Sequence, residues 1–367
     1  KMKKNFFVSL IAFFIFVIIY LFFGVWGIFE INKHERFLFK SDNKLKFHKK
    51  YSQKIHHLRD VDRWGKNTNE YLFSILNQSG SQNKKVLFQG DSWIESISEI
   101  KNSEKLLKNY GIKKNYNIYN AGVTSFAPSL MHIQYKILKN DFQITPDILV
   151  IYIDQTDIGD EYCRYRSKKV YSSDKKLIYV DRERYNKAVY DYTKLYEYSE
   201  LRLDGISKII FKYPYVKSRY FVKRNIFQIK QIFINGFKNR NINKCSFREI
   251  KKELISYNKD AEENFKFALK EYLDFLKKET KIQNVLIVSF PHLKHHNKEY
   301  KVNVSNYIDE IIKAQNDARI QHLNMSLMNF NVKNIEKIYK KDFASHLNDE
   351  YHTKIFLKNI LSKISNF

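Results

Sequence analysis

One serine stands where a nucleophile would be expected. Ser92 follows the apolar run Val86–Phe88 through Gly90 and Asp91, and a helical pattern begins directly after it. If the apolar run is a strand of a parallel sheet, Ser92 lies at the carboxyl edge, where ligands of open α/β folds bind. The amino end of the next helix favours the negative charge that develops during attack. The pattern indicates a nucleophilic serine, although Asp91 and Ser92 would also suit the N-cap of any helix.

Three further polar blocks follow in the chain. Residues 120–125 (NAGVTS) and 154–157 (DQTD) each come after a predicted strand, and residues 342–356 (DFASHLNDEYHTKIF) precede a C-terminal helix. Because the carboxyl ends of parallel strands meet at one edge of a sheet, the first two blocks belong beside Ser92.

The elements that position these blocks are short apolar runs alternating with helical patterns, which predicts a three-layer α/β domain with a mostly parallel sheet. The predicted strands are Val86–Phe88, Tyr116–Tyr119, Ile148–Ile153, Val285–Phe290 and a weaker run at His322–Met325. The predicted helices of this domain include Glu249–Glu279 and Asp349–Ile364.

The domain is expected to occupy residues 84–367, with a basic, mainly helical insertion at about 164–245. Residues 31–83 are predicted to form a stalk with a packing helix at Tyr51–Leu76.

Residues 1–30 are predicted to be a transmembrane anchor, since the uncharged stretch Phe6–Phe29 is long enough to cross a hydrocarbon core of roughly 30 Å. It is longer than the apolar region of a cleaved signal peptide. Lysines before it favour a cytoplasmic N-terminus.

Composition narrows the range of partners. The formal charge of +26 suggests a polyanion as partner. The lysines are spread along the chain and no nucleic-acid-binding motif is present, so anionic lipid or an envelope polymer fits better than nucleic acid.

Cys163 and Cys245 have no zinc spacing, and a disulfide between them is possible in an oxidising compartment. His292, His295 and His296 are interpreted as solvated loop residues. No metal or cofactor is predicted.

The ordered blocks resemble those of the SGNH (GDSL) hydrolase family: a GDS block, a glycine block, a GxND block and a late Asp and His. The resemblance runs from about Val86 to the C-terminus without the insertion. It implies a flavodoxin-like α/β/α fold and an acyl-enzyme on Ser92. It also implies a histidine that takes the serine proton and an aspartate that orients the histidine.

The resemblance implies an oxyanion hole made by the Ser92 N–H, the Ser125 N–H and the Thr156 hydroxyl. Ser125 stands at the family's glycine and Thr156 at its asparagine, so a hydroxyl with one proton replaces an amide donor. Asp154 stands where the GxND block begins with glycine. Loss of one oxyanion donor costs about 2.7–4 kcal/mol of transition-state stabilisation.

The late block allows two registers. In one, His346 is the base and Asp342 its partner, and in the other Asp349 and His352 match the DxxH spacing. A catalytic histidine belongs on the loop before the last helix, and Asn348 or Asp349 looks like the N-cap of that helix. The sequence therefore favours His346 and Asp342.

Two functions are compatible with these features. The first is an extracytoplasmic O-acetyltransferase or esterase that acts on an anionic or neutral cell-envelope polysaccharide beside a membrane-bound O-acyltransferase, as the resemblance implies. The second is a weakly catalytic or non-catalytic membrane-tethered partner in polymer acylation, similar to the helper of teichoic acid D-alanylation. Both place a single-pass protein in the cytoplasmic membrane with its domain outside.

Overall fold

A computed structural model describes residues 7–20, 50–51, 54–55, 72–181, 259–296, 302–328, 335–340 and 346–367. The chain divides into two compact units, residues 1–50 with 183–244 and residues 51–182 with 245–367.

Helix α1, residues 7–20, belongs to the first unit. Nearly all of its side chains are exposed, including Phe7, Phe13 and Phe16. Among the described residues, no helix is both long and apolar enough to cross a membrane. Phe6 and residues 21–29 of the predicted anchor lie outside the described residues.

The second unit is built on a six-stranded sheet, whose strands are β1 (Ser74–Asn77), β2 (Lys84–Gly90), β3 (Tyr116–Gly122), β4 (Ile148–Tyr152), β7 (Asn284–Ser289) and β8 (Ile320–Asn324). Their order across the sheet is β1-β3-β2-β4-β7-β8. Two further strands, β5 (Lys169–Tyr171) and β6 (Leu177–Val180), form a separate antiparallel hairpin. From β2 onward the sheet strands pair in parallel, and their order is the flavodoxin-like 2-1-3-4-5. The predicted α/β class with a mostly parallel sheet is confirmed.

Strand β1 corrects one prediction. The helix predicted at Tyr51–Leu76 is wrong at its C-terminal end, because Ser74–Asn77 form an edge strand antiparallel to β3. Pairing with β3 and burial of Leu76 decide the conformation, and neither is visible in the local pattern. Residues 56–71 of that predicted helix lie outside the described residues.

Helices cover both faces of the sheet, which makes three layers. They are α2 (Ser92–Glu95), α3 (Lys101–Lys114), α4 (Pro128–Phe142), α5 (Lys259–Lys277), α6 (Val304–Gln315) and the C-terminal helix α7, which runs through Asp349–Tyr351, a π-helical stretch at His352–Leu357 and Lys358–Ile364. Helices α4 and α6 both pack against α5, whereas α3 packs against the π-helical stretch of α7.

The main core lies between the sheet and α7, where Phe88, Val150 and Leu286 meet Phe356 and Ile360. All five residues of β4 (ILVIY) are buried, as expected for a central parallel strand. Each large apolar side chain buried there contributes about 1.5–3 kcal/mol. The rigid sheet fixes the positions of the loops at its carboxyl edge.

Candidate active site

Ser92 lies at the end of β2, on the first turn of α2. Asp91 caps this helix, since its Oδ1 accepts a hydrogen bond of 2.9 Å from the Trp93 N–H. A Cβ at Gly90 would lie 2.6 Å from Ile94 Cγ1, so only glycine allows the strand to turn into the helix this tightly. The Ser92 side chain stays partly exposed while the next residue, Trp93, is fully buried.

His346 lies beside this serine. Its Nε2 is 2.6 Å from Ser92 Oγ, and its ring packs 6.0 Å from the Trp93 ring, centroid to centroid. The backbone around it is held by an isolated bridge between Tyr339 and Leu347, with the Lys340 N–H donating to the His346 carbonyl (2.6 Å). The structure thus brings together the predicted nucleophile and the predicted base.

The rival histidine has different neighbours. His352 is buried, and its Nε2–H donates to the Trp93 carbonyl at 3.1 Å, while its Nδ1 lies 3.4 Å from Ser103 Oγ. Burial lowers the pKa of His352 to about 4, so it is neutral at physiological pH. Asp349, its partner in the rival register, is exposed and pairs with Lys340 (2.8 Å). Asp342, the predicted partner of His346, lies outside the described residues.

Ser125 lies in the loop after β3, and its φ is +62°. The loop is tied to the strand that precedes Ser92, because the Val123 N–H donates to the Gly90 carbonyl at 3.0 Å. A serine here therefore occupies a left-handed backbone conformation, which glycine adopts without strain.

Thr156 lies after β4, and its hydroxyl donates to Asp154 Oδ2. A hydroxyl has one proton, so donation from Thr156 to an oxyanion requires this side chain to turn away from Asp154. Asp154 is fully buried with the His292 ring 3.4 Å away. Burial alone would raise the pKa of Asp154, but the charge of His292 and the bonds from His292 and Thr156 outweigh it and hold the pKa below its usual value. The ionised Asp154 is a strong acceptor for Thr156.

The histidines after β7 differ from the prediction. The interpretation of His292 as a solvated residue is wrong, because its side chain is completely buried against Asp154. His295 is partly buried too, and its Nε2–H donates to the Val302 carbonyl (3.1 Å). The β4 and β7 loops meet at one sheet edge and enclose both rings. In the described residues, no group of three or more His, Cys, Asp or Glu side chains could hold a metal ion.

Other carboxyl groups near Ser92 are also buried. Burial, followed by repulsion from Asp154, raises the pKa of Asp91 well above its usual value. Burial likewise raises the pKa of Asp157, and it raises that of Asp160 to about 7. At all three positions burial is the main cause of the raised pKa, because it disfavours the charged form of the carboxyl group.

A second Ser–His–Asp arrangement was not expected from the sequence. Ser289 Oγ lies 2.8 Å from His322 Nε2, and His322 Nδ1 lies 2.5 Å from Asp309 Oδ1. Ser289 is fully buried and also contacts Ser305 Oγ (2.8 Å), so no substrate carbonyl can reach it. No motif surrounds these residues: the pairing of β7 with β8 brings Ser289 near His322, and Asp309 lies on α6.

Cys163, one of the two predicted disulfide partners, is disulfide-bonded. Cys245 lies outside the described residues.

No family model matches the sequence, and no curated protein matches it. Partial similarity is found to solved structures. An acetyl xylan esterase from Butyrivibrio proteoclasticus is 9% identical with a TM-score of 0.35, and the match covers 79% of this chain and 65% of that one. An acetylxylan esterase from Geobacillus stearothermophilus (catalytic mutant) is 8% identical with a TM-score of 0.37, covering 78% and 96%. A lipase from a goat rumen metagenome is 8% identical with a TM-score of 0.35, covering 77% and 96%.

Proposed function

We propose that this chain is a serine acyl-ester enzyme of the SGNH type that transfers or removes O-acetyl groups on a cell-envelope carbohydrate. The observation that carries the proposal is the 2.6 Å contact between Ser92 Oγ and His346 Nε2 at the carboxyl edge of the sheet. A nucleophile and a base within hydrogen-bond reach are the geometric requirement for covalent catalysis by serine.

The reaction follows from this contact. His346 Nε2 takes the proton of Ser92 as Oγ attacks the carbonyl carbon of the ester, and the carbonyl oxygen becomes an oxyanion. Backbone N–H groups of Ser92 and Ser125 are the proposed donors to it. His346 then gives the proton to the departing alcohol, which leaves an acetyl group on Ser92. Water or a sugar hydroxyl, deprotonated by His346, then attacks the carbonyl carbon of this acyl-enzyme. The bond between the acyl carbon and Ser92 Oγ breaks, His346 returns the proton to Oγ, and acetic acid or the acetylated sugar leaves.

The proposed location is the outer side of the cytoplasmic membrane, with a single-pass anchor and a membrane-bound O-acyltransferase as partner. The exposed apolar side chains of α1 support an anchor, since water is a poor solvent for such a surface. The disulfide at Cys163 supports an oxidising compartment. The net charge of +26 supports a surface that faces anionic lipid or polymer.

A second candidate is a membrane-tethered partner with little or no catalysis of its own. The hydrogen bond from the Thr156 hydroxyl to Asp154 favours it, because that hydroxyl was the proposed substitute for the family's amide donor.

Labelling with a fluorophosphonate probe tests the proposal. The purified full chain in detergent is expected to be labelled on Ser92, as located by mass spectrometry, and Ser92→Ala should remove the label. Ser289→Ala is a matched control, because Ser289 also contacts a histidine but is fully buried; this variant should label like the wild type. An unlabelled wild type, or equal labelling of Ser92→Ala, would overturn the proposal in favour of the second candidate.

A further inference from the structure

The turn that carries Ser125 is in an unfavourable conformation. The Phe126 N–H donates to the Val123 carbonyl at 2.9 Å, which closes a four-residue turn with Ser125 in third position. Its φ of +62° is typical of a type II turn, in which glycine normally fills that position. A serine there is strained, so the turn tends to leave this conformation unless other groups hold it. The central peptide of the turn carries the Ser125 N–H.

Glu95 holds the turn from one side. Its Oε2 accepts hydrogen bonds from both the N–H (2.7 Å) and the hydroxyl of Thr124. Glu95 is buried and stands three residues after Ser92, on the same short helix. The turn is therefore attached directly to the element that carries the nucleophile.

Tyr165 holds the turn from the other side. Its hydroxyl donates to the Ser125 carbonyl, and its ring is fully buried. Tyr165 ends the π-helical segment Asp160–Tyr165 after β4. Four residues earlier, Glu161 accepts from the Ser129 N–H (2.7 Å) at the start of α4 and pairs with Lys169 (2.6 Å). The support behind Tyr165 is thus itself anchored, and π-helical turns occur frequently at functional sites.

We propose that Glu95 and Tyr165 are positioning residues that hold the Thr124–Ser125 peptide so that the Ser125 N–H stabilises the oxyanion formed on Ser92. The proposal rests on the proposed function and adds two residues to it. Neither touches the substrate. Each acts through the backbone of the turn, by opposing the strain of a serine at positive φ.

The test measures kcat, KM and thermal stability of the full chain in detergent with 4-nitrophenyl acetate. Tyr165→Phe and Glu95→Ala are expected to lower kcat by about tenfold to a hundredfold, less than complete loss of an oxyanion donor, with KM nearly unchanged. Glu95→Gln should retain most of kcat, because one amide oxygen can accept both bonds from Thr124. Ser125→Gly in the Tyr165→Phe background should restore part of kcat, because glycine adopts positive φ without strain.

Tyr272→Phe is the matched control for a purely structural loss. Tyr272 is also fully buried and donates its hydroxyl to Gln89 Oε1 at 2.5 Å, so this variant should lose stability but not kcat. An unchanged kcat in Tyr165→Phe, or a drop no larger than that of Tyr272→Phe, overturns the positioning role while leaving the proposed function intact. Absence of Ser92-dependent turnover in the wild type overturns both.

Discussion

The imidazole of His346 lies 2.6 Å from the hydroxyl of Ser92, although 254 residues separate the two in the chain. Trp93 packs against the His346 ring and also against Tyr152, Phe290 and Phe356, at centroid distances of 5.2, 5.3 and 5.5 Å. A rigid aromatic cluster therefore limits the movement of the histidine relative to the serine. This preorganisation is what a proton transfer between the two side chains requires.

The two late histidines should respond differently to replacement. We expect His346→Ala to lower kcat for ester turnover by about four orders of magnitude or more without a change in melting temperature, because it removes the base. His352→Ala should cost about 1–3 kcal/mol of stability, since it leaves a cavity at a buried side chain and removes one of two side-chain donors to the Trp93 carbonyl, which also accepts from Ser96 Oγ at 2.8 Å. It should keep kcat in the folded fraction. Loss of turnover in His352→Ala with full activity in His346→Ala would reverse the assignment.

Replacement of Asp342 should have a smaller effect. An aspartate that orients the base does not itself exchange the proton, so we expect Asp342→Ala to retain about ten to a hundred times more kcat than His346→Ala. Asp349→Ala is the control, because Asp349 pairs with Lys340 at the surface. If Asp349→Ala lowers kcat more than Asp342→Ala does, the choice of aspartate is wrong.

Gly122 should not tolerate a side chain. A Cβ there would lie 2.2 Å from the Glu95 backbone N and 2.5 Å from the Ile94 carbonyl carbon, so the helix that carries Ser92 would have to move. We expect Gly122→Ala to cost about 1–3 kcal/mol or more and to lower kcat, as measured by denaturant unfolding and ester turnover. Gly80→Ala is the matched control, because the nearest atom is the Asn83 side-chain amide at 3.3 Å. Equal stability of the two variants would contradict this account.

The contribution of Asp160 to stability should fall as the pH rises from about 4 to about 7. Burial raises the pKa of Asp160 to about 7 against the opposing charge of Arg164, and the charges of Asp154 and Glu161 add to the increase. The folded state keeps this proton up to about pH 7, whereas an unfolded aspartate loses it near pH 4, so the contribution of Asp160 to the free energy of unfolding decreases between these values. Asp160→Asn should make the slope of the free energy of unfolding against pH more positive than in the wild type, by about 1.4 kcal/mol per pH unit for one proton, in denaturant titrations across this range. An unchanged slope would show that Asp160 ionises normally.

The orientation in the membrane is open to direct measurement. If the domain lies outside the cytoplasm, a cysteine placed at the exposed Lys108 on α3 should react with a membrane-impermeant maleimide in intact cells. The unmodified chain gives the background, since Cys163 is disulfide-bonded. Reaction only after the membrane is permeabilised would place the domain inside and contradict the proposed substrate class.

Local patterns in the sequence were sufficient to predict the fold class and the placement of Ser92 between the end of β2 and the start of a helix. Apolar runs such as 148–153 are long and uninterrupted because central parallel strands are buried on both faces, and that requirement is written into consecutive residues. Gly90, Asp91 and Ser92 likewise act within one turn of chain, as strand end, helix cap and candidate nucleophile. The N-cap at Asn348, which accepts from the Tyr351 N–H at 3.2 Å, is local too, and it correctly separated His346 from the last helix.

Contacts between distant segments were decided only by the tertiary structure. Three features join residues that are distant in the sequence: the edge strand β1, the burial of His292 against Asp154, and the hydrogen bonds of Glu95 and Tyr165 with the Ser125 turn. The same is true of the buried pair Ser289 and His322, whose residue types match Ser92 and His346 while their accessibility does not. A serine beside a histidine becomes a candidate nucleophile only where the packing of the sheet leaves its hydroxyl open to a substrate, and that packing depends on every element at once.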